Sequence, residues 1–300
     1  MEVPFATPPE TPIEPHNGRF SSTVKPIGEY RPDPDGRRAV VILGMPDDTG
    51  VTLNKGRPGA KEGPSAIRRV LSRLGVERPA TFDWPAVYDA GDVLPAGDDL
   101  DETHRRVSEA SKALTMSGLL PIGLGGGHDL TFAFVRGVIE GSPDTLKPRT
   151  GEYFDPHLDV RERQGSGMPF RRLIEACGVT RLLNTGMDAK ANSRDHYEWF
   201  LSHGGEIPQV PSEPHTESYF ASFDLDALDA SHAPGVSAPA PCGEPAFTAP
   251  LWISRVVSSR HLRCFDIMEL SPPHDEGDRT TRLAAYLFLH AVQHMSLAQP

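Results

Sequence analysis

From Arg38 onward the chain repeats one grammar: a short apolar or β-branched run, a turn rich in Gly, Pro or Asp, then a segment of helical period. Ala39-Val40-Val41-Ile42-Leu43-Gly44 reads as a buried strand, and Gly63-Pro64-Ser65-Ala66-Ile67 opens a helix with proline in its first turn. Further strands are predicted near 86–90, 119–123, 151–155, 180–185, 206–210, 219–224 and 262–268. Helical periods lie at 101–117, 129–140, 168–177, 193–203, 247–260 and 278–295. Runs that are apolar on both faces and separated by helices belong in a parallel sheet covered on both sides. The expectation is an α/β fold, a three-layer αβα sandwich around a mostly parallel sheet of about eight strands.

An open α/β sheet can absorb most of the 300 residues as one unit, so residues 38–300 are expected to form a single domain. Residues 1–37 are punctuated by proline, as in Thr7-Pro8-Pro9-Glu10-Thr11-Pro12, and should run as an extended or partly disordered leader. Lys and Arg total 30 against 41 Asp and Glu, a net charge of −11 that argues against a nucleic-acid or anionic-membrane partner. No run of eighteen apolar residues appears, and Met1-Glu2-Val3-Pro4 has neither the basic nor the apolar region of a signal peptide. Cys177, Cys242 and Cys264 are odd in number and far apart, which points to a reduced, cytoplasmic protein.

Three short motifs each follow directly on a predicted strand: Gly125-Gly126-Gly127-His128-Asp129, Asp155-Pro156-His157-Leu158-Asp159 and Asp224-Leu225-Asp226. In open parallel sheets ligands bind beyond the carboxyl ends of the strands, so the three can converge in one crevice. Residues i, i+2 and i+4 of an extended chain point the same way, which puts Asp155, His157 and Asp159 on one face and Asp224 and Asp226 on another. Such a gathering of carboxylates repels itself unless cations sit among them. Two divalent ions would answer, and four Asp with two imidazoles and no thiolate suit Mn2+ better than structural Zn2+. The three glycines are expected to let the backbone turn sharply beside His128. A phosphate loop is a poor reading of them, because no G-K-[ST] follows and Asp129 would repel an anion.

These motifs resemble those of the ureohydrolase (arginase/agmatinase) family of dimanganese hydrolases, over roughly residues 38–295. Its G-G-x-H pattern falls around His128, and its D-A-H-x-D and S-x-D-x-D-x-x-D patterns fall on residues 155–159 and 222–229. The resemblance implies two Mn2+ per subunit: one held by His128, Asp155, Asp159 and Asp224, the other by His157, Asp155, Asp224 and Asp226, with Asp155 and Asp224 bridging. It implies that Glu269, in Cys264-Phe265-Asp266-Ile267-Met268-Glu269, pairs with a cationic amidine or guanidine, and that Asp159 or Asp226 steadies the attacking hydroxide. It also implies a homo-oligomer. Two departures stand beside ligands: Pro156 replaces the family's alanine, and Ala230 stands where a proline is usual.

Three further segments, 47–60, 166–170 and 233–239, resemble the formimidoylglutamase-like branch, which hydrolyses N-formimidoyl-L-glutamate to glutamate and formamide. The loop after the D-x-H-x-D motif, Ser166-Gly167-Met168-Pro169-Phe170, lacks the histidine that arginases carry there. A substrate with two carboxylates needs cations and donors, for which Asn54, Arg57, Arg161 and Arg163 are the candidates. The rival readings are a hydrolase of agmatine, guanidinobutyrate or guanidine that releases urea, a zinc-dependent amide deacylase, and a catalytically silent relative.

Overall fold

The computed structural model describes residues 1–212 and 215–298. The elements run β1 (Ala6–Thr7), β2 (Val24–Pro26), β3 (Val40–Met45), α1 (Thr49–Leu53), α2 (Gly63–Leu71), β4 (Val87–Val93), α3 (Leu100–Met116), β5 (Leu120–Gly125), α4 (Leu130–Gly141) and β6 (Thr150–Phe154). They continue with α5 (Pro169–Cys177), β7 (Arg181–Thr185), α6 (Arg194–Ser202), β8 (Gly205–Glu206), β9 (Tyr219–Asp224), α7 (Thr248–Val257), β10 (Leu262–Met268) and α8 (Arg279–His294). The strands form one sheet in the order β1-β4-β3-β5-β10-β9-β6-β7-β8, with β2 also paired to β4. Every pairing is parallel except that of β1 with β4.

The three-layer expectation follows from period-two alternation in the strands. Val40 and Ile42 of β3 pack with Ile67, Ile253 and Phe288 of α2, α7 and α8. Val41, Leu43 and Met45 face the other way, toward Val107, Phe134 and Leu173 of α3, α4 and α5. Each face of the sheet therefore has its own apolar core, as buried parallel strands require.

The sheet has ten strands rather than about eight. Both additions come from the leader: Ala6 pairs with Val93, and Val24 with Val87. The leader, which also carries helical turns at Phe20–Thr23 and Ile27–Glu29, joins the sheet and sends Phe20 into the core with no exposure. Conversely, the strand expected at 206–210 shrinks to Gly205–Glu206, because Pro208 has no N–H to continue a ladder. Strands β5, β10, β9 and β6 are consecutive neighbours and parallel, so their carboxyl ends open side by side on one edge of the sheet.

Candidate active site

Each motif leaves one of those four adjacent strand ends. His128 follows β5, Asp155 follows β6, Asp224 closes β9 with Asp226 just beyond it, and Glu269 follows β10. The glycines before His128 serve close approach rather than turning. None of the three is among the residues at positive φ, whereas a Cβ on Gly126 would lie 1.9 Å from the carbonyl oxygen of Asp47.

The geometry is one of crowded donors. His128 Nδ1 faces Asp155 Oδ2 at 3.1 Å, Asp159 Oδ2 at 3.0 Å and Asp224 Oδ2 at 3.0 Å. His157 Nδ1 lies 3.1 Å from Asp155 Oδ1 and 3.4 Å from Asp226 Oδ2. Asp155 thus belongs to both groups of donors, one with His128, Asp159 and Asp224 and one with His157 and Asp226. Asp224 faces the first group: its Oδ2 lies beside His128, while its Oδ1 accepts the Asp226 backbone N–H at 2.8 Å. Pro156 does no harm beside Asp155, whose Oδ1 accepts the His157 N–H at 2.6 Å instead.

The cost of this crowding shows in the titration of the groups. Burial, reinforced by Asp226, pushes Asp224 up to about 7. Burial and Asp155 do the same to Asp226, also to about 7. Burial opposes a charge on His128, but Asp224, Asp155 and Asp159 outweigh it and hold the imidazole well above its ordinary range. A group of like charges in low dielectric behaves this way when its counter-charge is not protein. Cations fit the donor set on three counts. The ligand atoms of each group lie within 4.8 Å of one another. Three atoms of these residues, His128 Nδ1, Asp155 Oδ2 and Asp226 Oδ1, are buried without a hydrogen bond. Carboxylates and imidazoles without thiolate are the donors of Mn2+ chemistry.

The far nitrogen of His128 is also held: Nε2 lies 3.0 Å from Ser222 Oγ. Ser222 of β9 stands opposite Asp266 of β10, whose Oδ2 accepts from Thr131 Oγ1 at 2.9 Å. Sequence reading missed the Ser222 contact, although Ser222 stands two residues before Asp224 on one strand face and that spacing was the available signal. Glu269 reaches into the same space. Its Oε1 accepts the His128 backbone N–H at 2.6 Å, while Oε2 is buried and unpartnered. Burial, with Asp224 nearby, pushes its carboxyl up to about 8.

A cavity of about 270 Å³ opens above these groups, bounded by Asn54, Arg57, Arg161, His157, Asp159 and Glu269 among others. That is small for a ligand pocket and suits a metabolite rather than a polymer. Of the expected substrate contacts, Asn54 and Arg161 stand on this wall, and Asn54 Nδ2 also donates to Ser166 Oγ at 3.1 Å. Arg57 stands there too, but its Nη2 donates to the carbonyls of Pro234 and Val236, so it first of all fixes the 233–239 loop. Arg163 lies apart, in an adjoining groove that it shares with Arg161. His196 of α6 lines both spaces and was not foreseen, since nothing in sequence spacing links it to the motifs.

Of the five non-glycine residues at positive φ among the described residues, three line this cavity: Lys55, Asp159 and Glu269. Left-handed backbone at such residues costs roughly 1–2 kcal/mol each and gathers where function demands it.

Comparison with known proteins agrees with this arrangement. A profile described as "Arginase family" matches residues 38–293. The formimidoylglutamase of Ralstonia nicotianae is 35% identical over 279 residues, covering 85% of this chain and 84% of its own. A crystal structure of Trypanosoma cruzi formiminoglutamase with Mn2+ superposes with a TM-score of 0.77 at 29% identity, over 88% of this chain and 95% of that one. The proclavaminate amidino hydrolase of Streptomyces clavuligerus superposes with a TM-score of 0.74 at 26% identity, over 97% of both chains.

Proposed function

Since the chain belongs to the arginase family, we propose that it hydrolyses the C–N bond of a linear amidine, N-formimidoyl-L-glutamate, to L-glutamate and formamide. The observation that carries this is the paired donor set at four adjacent strand ends, with Glu269 beside it offering one buried, free carboxylate oxygen. The reading includes two Mn2+ per chain, supported by the two groups that share Asp155. It also includes a single catalytic domain over 38–300, a homo-oligomer, and a cytoplasmic location that the three unpaired cysteines favour.

When bound, the ions supply a water acidified enough to attack at neutral pH and a field that stabilises negative charge. The chain's own groups do the rest. His128, Asp155, Asp159 and Asp224 form one set of donors, and Asp155, His157 and Asp226 the other. Glu269 Oε2 accepts an N–H of the substrate amidinium and fixes its trigonal carbon over the floor of the cavity. Asp226 Oδ1, or Asp159 at the facing wall, accepts a hydrogen bond from the attacking water and steadies the tetrahedral carbon as it collapses. Water adds to that carbon, the bond to the glutamate nitrogen breaks, and the nitrogen leaves with the proton that the water gives up. Asn54 and Arg161 on the wall hold the acidic end of the substrate, Arg57 fixes the 233–239 loop beside them, and Arg163 adds positive charge from the next groove.

A guanidine substrate is the second reading, favoured by the full-length likeness to an amidino hydrolase. Metal analysis of the purified protein with product identification decides between them, using formimidoylglutamate and agmatine side by side. Formamide and glutamate are expected with close to two Mn per chain. Urea from agmatine would replace the reading, and no turnover of either would remove it.

A further inference from the structure

Helix α1 ends in a Schellman motif: the Gly56 N–H bonds to Val51 O at 2.9 Å and the Lys55 N–H to Thr52 O at 3.0 Å. The left-handed residue of that motif is ordinarily glycine, and the chain follows the rule elsewhere. Gly118 after α3, Gly178 after α5 and Gly204 after α6 all have positive φ. After α1 the position is Lys55, with φ 62°. Strain of this kind persists where a side chain is needed. Lys55 opens on both the acidic cavity and the groove beside it, as does Arg161. Among the described residues neither head group has a recorded hydrogen bond or ion pair, while the Arg57 guanidinium is occupied by two carbonyls. The floor of the cavity is carboxylate and its mouth is ammonium and guanidinium.

We propose that Lys55 is a specificity-determining residue that binds, with Arg161, the carboxylate of the substrate farthest from the amidine, and so excludes amidines and guanidines whose far end is cationic. The inference rests on the amidine-hydrolase reading, deepening it by naming the charge pattern selected. An amidinium on the Glu269 side and a carboxylate at the mouth align a dicarboxylate such as formimidoylglutamate along the cavity. A dication such as agmatine would place its second charge against Lys55.

Lys55→Gly tests this without endangering the fold, because glycine suits the φ and the thermal midpoint should hold or rise. A lost charge-assisted contact should raise KM for formimidoylglutamate about 10- to 100-fold, with kcat within about threefold. Wild-type enzyme should lose a similar factor on N-formimidoyl-L-glutamine, in which the far carboxylate is an amide, and Lys55→Gly should lose nothing more on that analogue. Lys55→Arg should restore most of the KM. An unchanged KM in Lys55→Gly, or an equal loss on both substrates, overturns the proposal. Calorimetric titration of L-glutamate into wild type and Lys55→Gly reads the same contact without turnover. Weaker glutamate binding in the variant supports it even if the wild type releases no formamide, which would sink only the activity. Equal binding alongside normal turnover sinks only Lys55.

Discussion

Arg68 is completely buried beneath β4, between Asp89 and Asp92, and its guanidinium is filled: Nε and Nη2 bond Asp89 at 2.8 and 2.9 Å, Nη1 bonds Asp92, and Nη2 also reaches Gly91 O at 3.0 Å. Across the same sheet, at the ends of β5, β6, β9 and β10, four carboxylates and one imidazole are buried beside the half-buried Asp159 and His157, and several of their atoms have no hydrogen bond. Both clusters take charge out of water, which is costly unless every charge is answered. The first is answered from within the chain and ties α2 to the sheet. The second leaves donors open, and that openness separates a binding site from a structural ion pair.

The sharpest way to break this contrast is to neutralise one member of the open cluster. Asp224→Asn keeps the shape and removes a charge that faces His128. Activity should fall by about a thousandfold or more, since bound cations supply several kcal/mol to such reactions at 1.4 kcal/mol per decade, and the purified variant should carry less metal. In the chelated protein the same change should raise the urea midpoint, because Asp224 is repelled by Asp226. A lowered midpoint in the chelated variant, or full activity, would mean that the open cluster is as structural as the closed one.

Arg68→Met should do the reverse. Removing one partner of a buried pair strands the others, at about 3–5 kcal/mol. The loss should appear in urea unfolding of metal-loaded and metal-free protein alike, with the metal content per folded chain unchanged. A variant that lost metal in proportion to stability would join the two clusters into one unit.

How much of this was legible in the sequence follows from how local each feature is. The long strands and the motifs at their ends could be read because alternation and adjacency are properties of a few consecutive residues: Asp155, His157 and Asp159, or Asp224 and Asp226, carry their own spacing. β1 and β2 could not, since segments of two or three residues exist as strands only through pairing with β4. The same limit explains Arg57, in sequence an available cation, which the fold commits to the carbonyls of Pro234 and Val236. His196 reaches the cavity from α6, which no motif encodes, and Lys55, although inside the 47–60 segment, does so through the left-handed end of α1.

The smallest of these effects lies behind His128, at Ser222, whose Oγ stands 3.0 Å from His128 Nε2. Asp266 stands opposite Ser222 on β10 and accepts from Thr131 Oγ1. Ordered this way, the ring turns Nδ1 toward Asp155, Asp159 and Asp224. Partners of this kind fix the orientation of a metal-binding imidazole, and their loss typically costs about 10- to 100-fold in metal affinity. Ser222→Ala should therefore weaken Mn2+ binding by about that factor, measured by titration against a competing chelator, and activity should return at high Mn2+. A structural role alone would lower the unfolding midpoint and leave the metal affinity where it was. Because Ser222 is buried and partnered like Arg68, yet stands against an imidazole whose other nitrogen has no hydrogen bond, this variant reads how the closed parts of the sheet hold the open ones in place.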